Sequence, residues 1–192
     1  MPSIALLVVA EWVLFALSWI LAASWSSAVA KRLGMKRELL YRAVLIAGGL
    51  LLAFPAHGYH GRWRIWYVTA SEAWACVGCI AAGFAFAWWA RVHLGELWSG
   101  RVTAKADHRV VDTGPYALVR HPIYTGILLS VLATAAIKGT IAGLAGALLI
   151  TLGIWMKARL EETWLSSELQ ADSYMRYRQR VPMLVPVPWG RR

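Results

Sequence analysis

Apolar positions in this chain come in unbroken runs, without the alternation of a half-buried strand or the one-sided stripe of a soluble helix. Residues 1–30 hold a single charge, Glu11, and residues 43–56 hold none. Residues 65–90 hold only Glu72, while residues 122–137 and 139–156 are free of charge. A surface helix of a soluble domain keeps a polar face opposite its apolar one. These runs are apolar all round. A helix that crosses a hydrocarbon core of ~30 Å needs ~20 apolar residues at 1.5 Å each. The pattern therefore predicts an all-α integral membrane bundle of five spans, roughly 4–30, 43–57, 65–90, 122–137 and 139–157. No repeat, linker or low-complexity stretch divides the chain, so residues 1–192 read as one domain, with residues 93–192 as its catalytic region.

Charge placement fits five crossings. Lys31, Arg32, Lys36, Arg37 and Arg42 fall between the first two spans, Arg91, Arg101, Lys105, Arg109 and Arg120 between the third and fourth. Lys157, Arg159, Arg176, Arg178, Arg180, Arg191 and Arg192 follow the fifth. Of the 20 Lys and Arg residues, only Arg62, Arg64 and Lys138 lie on the opposite side. Positive loops stay cytoplasmic, which puts the N-terminus outside and the C-terminus in the cytoplasm. The net charge of +10 thus reflects topology and anionic headgroups. No basic face of a soluble domain is evident, so nucleic acid is not an expected partner. Ala28-Val29-Ala30 resembles a signal cleavage site, but the run before it has no Lys or Arg and exceeds a signal core of ~7–15 residues, so an uncleaved helix is expected.

Polar chemistry collects in two cytoplasmic stretches. Residues 93–120 are too polar to span and carry the anchors Trp98, Gly100, Gly114, Pro115 and Tyr116. Loops of this length are often functional. Residues 157–192 follow the last span. Their part from 159 to 179 reads as a separate helix on the membrane surface or capping the bundle, ended by Pro182, Pro186 and Pro188. At the entry to the fourth span, Arg120 and His121 precede Pro122, which suits a helix's first turn. Free N–H groups at such a start can bind a carboxylate or another anion. Snorkelling at the interface is the plain alternative for that pair.

At these residues the chain resembles the isoprenylcysteine carboxyl methyltransferase family, within the wider group of membrane methyltransferases that includes phospholipid N-methyltransferases. The matching block is Lys105-x-x-His108, Val110-Val111, Gly114-Pro115-Tyr116 and Arg120-His121-Pro122-Ile123-Tyr124-x-Gly126. The matching tail is Glu161-Glu162-x-x-Leu165 and Tyr174-x-x-Tyr177-x-x-x-Val181-Pro182. The family often has Phe-Gly before the first of these tyrosines; Leu169-Gln170 stands there in this chain. The resemblance implies S-adenosyl-L-methionine as methyl donor, in a cytoplasm-facing pocket formed by the loop before the fourth helix and a C-terminal helix. By matching position it implies Lys105, His108, Val110, Tyr116, His121, Pro122, Tyr124, Tyr177 and Arg178 as cofactor-binding residues. It gives Arg120, Glu161 and Glu162 a catalytic role and Arg180 a substrate role, with no metal.

Methyl transfer from a sulfonium is an in-line displacement, and holding the reactants aligned supplies ~7–11 kcal/mol. An acceptor carboxylate is already ionised at neutral pH and needs only a cation to hold it. Arg120 is the expected cation, through two parallel hydrogen bonds, with Glu161 or Glu162 orienting it. An amine or thiol acceptor would need a base, and a Glu or His121 could serve. A lipid-tailed acceptor would enter from the bilayer, its head near the level of Trp88, Trp89 and Trp98. The expected activity is methylation of the carboxylate of an isoprenylcysteine-like substrate. Methylation of a phospholipid amine or a thiol is the nearest alternative, and a membrane reductase or a transport or binding protein the more distant one. Transport would place polar groups at mid-membrane, where this chain has few. Cys76-Val77-Gly78-Cys79 lies in an apolar span with no second ligand pair and reads as packing. Glu11 and Glu72 are acids inside spans, where function is the default hypothesis and access to water the bland one.

Overall fold

The computed structural model describes residues 2–25, 31–32, 35–53, 63–98, 103–104, 110–168 and 171–186. Among them, six α-helices dominate: α1 (Pro2–Ala22), α2 (Met35–Ala53), α3 (Ala70–Leu94), α4 (Pro122–Lys138), α5 (Ile141–Glu168) and α6 (Ala171–Arg180). A two-stranded antiparallel ribbon pairs β1 (Lys31–Arg32) with β2 (Thr103–Ala104), and β2 also lies against α5. Among the described residues, three helices are long and apolar enough to cross a membrane: Ser3–Ala22, Ala70–Leu94 and Ile141–Ser166. α4 is apolar but has 17 residues. α2 opens with Lys36, Arg37, Glu38 and Arg42, which shortens its apolar part to residues 43–53.

The helix bounds correct four expected spans. The second helix begins at Met35 rather than residue 43, and residues 54–57 lie outside the described part. The third begins at Ala70, not residue 65. Residues 65–69 are extended because the turn between α4 and α5 claims them: Ile65 N–H donates to Gly139 O at 2.7 Å, and Trp66 Nε1 to Ala136 O at 2.9 Å. Gly139 has φ of +57°, which lets α4 end in a tight hairpin. The fifth helix does not stop at residue 157 but runs to Glu168, so no separate helix starts at residue 159. No Gly or Pro interrupts residues 154–168, and the charged run simply continues the helix out of the apolar layer. The first helix ends at Ala22 in a 3₁₀ turn (Ala23–Trp25) rather than at residue 30, and residues 26–30 lie outside the described part.

Glycines set the two main crossings. Between α3 and α4, a Cβ on Gly126 would meet the Gly83 carbonyl oxygen and the Ala87 nitrogen. Ser130 Oγ donates to Ile80 O at 3.0 Å across the same contact. Between α2 and α5, a Cβ on Gly146 would meet the Leu52 nitrogen and the Gly48 carbonyl, and one on Gly153 would meet Leu45. Lipid tails are as apolar as Leu, so close backbone approach and van der Waals contact drive association here. α1 docks on α3 through rings instead. Phe15 stacks on Phe84 at 4.2 Å, and Trp88 Nε1 donates to Ser18 Oγ at 3.1 Å. Its other face, with Leu6, Leu14 and Leu21, is exposed as a lipid-facing surface requires.

Two charged residues prove structural. Arg91 is fully buried; its guanidinium donates at 2.8 Å to Ala22 O and to Gly95 O and lies 4.4 Å over the Trp98 ring, tying the end of α1 to the end of α3. Glu72 forms a capping box with Thr69 at the start of α3 and needs no functional reading.

Candidate active site

The site is built where the 3₁₀ turn Gly114–Ala117, the start of α4, the end of α5 and α6 converge. Pro122 sits in the first turn of α4, as the sequence predicts, and is buried there. The chain after α6 then lies across this start. Arg120 N–H donates to Pro182 O at 2.8 Å, His121 N–H to Met183 O at 3.1 Å, and Thr125 Oγ1 to Leu184 O at 2.6 Å. The N–H groups of Arg120 and His121, expected to face an anion, are therefore occupied by tail carbonyls.

Arg120 is the keystone of this junction. Its Nε donates to Glu162 Oε1 at 2.7 Å, and its Nη1 to Arg178 O at 2.9 Å and to Val181 O. Glu162 is 2% exposed and has three basic side chains around it. His121 Nε2 stands 3.3 Å from Oε1, and Arg178 Nε stands 3.4 Å from Oε2. A buried carboxylate is tolerated only with such partners. With Nε and Nη1 both committed, the two-bond grip on an acceptor carboxylate expected of Arg120 is not open in this arrangement. Only Nη2 keeps free donors among the described residues.

One helical turn nearer the apolar bundle lies a second layer. Tyr124 OH donates to Glu161 Oε1 at 2.6 Å, and its ring stacks on the His121 imidazole at 5.4 Å. His121 Nδ1 stands 3.6 Å from Glu161 Oε2, so the imidazole has a carboxylate on each side. Lys157 Nζ lies 3.9 Å from Glu161 Oε1 and 5.3 Å over the Tyr124 ring. α2 packs against α5 on this side. Glu38 and Tyr41 are buried, Arg42 pairs with Glu38, and the Glu161 carboxylate acts electrostatically on both the Tyr41 and Tyr124 hydroxyls. No sequence signal marks them, because they reach the site only through the α2–α5 crossing.

Tyrosines close the remaining side. Tyr177 OH donates to Tyr116 O at 2.8 Å, and Tyr116 OH to Ala90 O at 3.4 Å. Tyr174, Tyr177 and Val181 form a small core with Val110 and Leu165. Burial pushes the Tyr116, Tyr174 and Tyr177 phenols well above their usual range, so they remain neutral donors.

Of the predicted site residues, the fold gathers Arg120, His121, Pro122, Tyr124, Glu161, Glu162 and Arg178 into one cluster, with Tyr116, Tyr177 and Val110 against it. Arg180 stands apart at the surface, 67% exposed and paired with Asp112 at 3.2 Å. Exposed pairs of this kind contribute little. Lys105 and His108 lie outside the described residues.

Comparison with known proteins finds a family model over residues 76–167, that of the isoprenylcysteine carboxyl methyltransferase (ICMT) family. The chain is 32% identical over 127 residues to a protein-S-isoprenylcysteine O-methyltransferase of Schizosaccharomyces pombe, covering 63% of this chain and 50% of that protein. It is 33% identical over 146 residues to methanethiol S-methyltransferase 2 of Bradyrhizobium diazoefficiens, covering 68% of this chain and 55% of that protein. The chain thus spans about half the length of the curated relatives it matches.

Proposed function

We propose, from the match of residues 76–167 to the isoprenylcysteine carboxyl methyltransferase family model, that this chain transfers a methyl group from S-adenosyl-L-methionine to a lipid-tailed acceptor, the carboxylate of an isoprenylcysteine-like molecule. The observation that carries the reading is the buried layer in which Arg120, His121 and Arg178 converge on Glu162, joining the loop before α4 to α5 and α6. In a bilayer, burying that much charge makes sense where a polar ligand is handled.

The residues present suit the proposed donor. Glu162 Oε2 is buried without a hydrogen-bond partner, since Arg178 Nε approaches it outside hydrogen-bond alignment. That oxygen can accept from an ammonium or a ribose hydroxyl, and Arg178 can pair with a carboxylate. When bound, the donor supplies an electrophilic methyl on a cationic sulfur. Glu161 and Glu162 make the site favourable to that cation. Arg120 is a positioning residue: it fixes Glu162 and clamps the tail. Tyr116, Tyr174 and Tyr177 keep water from the site.

A second acceptor, a thiol, has its own support. A relative is named for methanethiol, and His121 between two carboxylates is poised to take a proton, which a carboxylate acceptor would not require. We read the whole chain as one domain that crosses the membrane five times, with α2 and α4 as the two shorter crossings. The charge bias puts its site and C-terminus in the cytoplasm. The direct test is transfer of labelled methyl from S-adenosylmethionine to N-acetyl-S-farnesylcysteine by detergent-purified protein. Incorporation that disappears in Glu162→Gln supports the reading; no incorporation into that acceptor or methanethiol overturns it.

A further inference from the structure

One polar contact lies outside the cluster and bears on it. His93 stands on the last turn of α3, against the 3₁₀ turn Gly114–Ala117. Its Nε2 lies 2.9 Å from Thr113 Oγ1, within hydrogen-bond distance. The same ring covers Gly114, where a Cβ would come within 2.7 to 3.0 Å of three ring atoms. It also stacks on Tyr116, with ring centres 6.3 Å apart and planes 25° from parallel. One imidazole thus meets three residues of a single turn. Thr113 shows what this contact displaces. It is the N-cap of the turn, and a threonine there ordinarily turns its hydroxyl back onto the N–H groups that follow. Here the hydroxyl makes no such bond and goes to His93 instead. Gly114 has φ of +56°, a region that disfavours side chains, and its missing Cβ lets the imidazole lie on the backbone.

The turn held in this way carries Tyr116. Its hydroxyl donates to the carbonyl of Ala90, one helical turn before His93, and its own carbonyl accepts from Tyr177 OH of α6 at 2.8 Å. α3 therefore holds the turn at two points, the phenol through Ala90 and the first residues through His93. The carbonyl between them fixes where Tyr177 docks. Resting on the methyltransferase reading above, we infer that His93 is a positioning residue of the donor site. Through Thr113 and Gly114 it sets the turn that presents Tyr116 and, through the Tyr116 carbonyl, Tyr177. Both tyrosines are expected to touch the donor, whereas a lipid-tailed acceptor enters from the bundle, so the effect falls on donor affinity. His93 itself touches neither reactant and moves no proton. A hydroxyl both donates and accepts, so it can bond the imidazole in either tautomer and in the protonated form. The contact holds as the ring titrates.

The test measures S-adenosylhomocysteine affinity and acceptor KM on the full-length protein in detergent. The acceptor is whichever of N-acetyl-S-farnesylcysteine and methanethiol the wild type methylates, with S-adenosylmethionine saturating. His93→Ala is expected to weaken S-adenosylhomocysteine binding at least fivefold and to move acceptor KM less than twofold. His93→Gln, whose amide can still bond Thr113, returns affinity to within twofold of wild type and leaves the shape of the kcat profile against pH unchanged. Thr113→Val removes the hydroxyl at an exposed position. It weakens binding at least twofold alone and costs nothing further when added to His93→Ala, because both remove the same bond. Unchanged affinity in His93→Ala, a loss that glutamine does not restore, an acceptor KM that rises as far as donor affinity falls, or a kcat profile that loses a limb in His93→Gln would each overturn the inference. Where His93→Ala does not fold, Thr113→Val decides alone: the twofold loss supports the inference and unchanged binding overturns it. Failure of the wild type to bind S-adenosylhomocysteine would instead remove the methyltransferase reading, and this inference with it.

Discussion

Arg120→Lys isolates what the guanidinium does. In the native junction one side chain donates to Glu162, to Arg178 O and to Val181 O. A lysine ammonium can keep the Glu162 contact but cannot span to both carbonyls. Hydrogen bonds involving a charged group are worth ~1.5–3 kcal/mol each. The two share one donor nitrogen and do not add fully, so the loss is about 3 kcal/mol. At 1.4 kcal/mol per decade this raises the undocked population of the tail by about a hundredfold. Hydrogen exchange by mass spectrometry reads it directly. The amides of His121, bonded to Met183 O, and of Val181, bonded to Tyr177 O, should lose protection by about that factor while α3 amides do not change. Turnover should fall more than tenfold, because the undocked tail no longer holds the side chains of the site in place. Protection of both amides within about threefold of wild type would refute the clamp. Unchanged turnover would remove Arg120 from the site.

Three further outcomes are expected. Gly126→Val drives a branched side chain into the Gly83 carbonyl and the Ala87 backbone, whereas a Cβ on Gly49 meets nothing within 4 Å. Thermal unfolding in detergent should show the first losing about 1–3 kcal/mol or more and Gly49→Ala losing nothing. Burial raises the Tyr174 and Tyr177 phenols above their unfolded value of about 10, so their contribution is whole below that pH and is withdrawn as pH rises through the higher folded values. Tyr177→Phe should therefore blunt the alkaline fall in stability while costing about 1 kcal/mol at pH 7 for the lost bond to Tyr116 O. With Cys76 and Cys79 replaced by Ala, an impermeant thiol reagent should label Ser71→Cys from outside intact cells and Arg176→Cys only after lysis; the reverse would invert the topology.

Much of the site was legible because local chemistry dictates it. Pro122 fixes the start of α4, Gly139 its end, and the Glu161-Glu162 pair with the Tyr174–Tyr177 spacing marks the C-terminal half. What stayed hidden depends on tertiary contact. The charges at Lys157 and Arg159 look like the end of a span, yet helix propensity carries α5 on to Glu168. Trp66 looks like part of a span, yet it is bonded to the α4–α5 turn. Arg120 looks like a free guanidinium, because carbonyl partners in residues 178 and 181 leave no trace in side-chain pattern. Tyr41 and Glu38 lie far from every motif, and α2 comes against α5 only through glycine-mediated packing.

Calorimetric titration of the detergent-purified protein with S-adenosylhomocysteine tests most directly whether the loop before α4, the end of α5 and α6 enclose one cofactor site. Saturable binding at one equivalent per chain, weakened at least tenfold by Glu162→Gln from α5 and again by Arg178→Met from α6, is the predicted result. A folded protein that takes up no S-adenosylhomocysteine, or binds it equally well in both variants, would contradict the account.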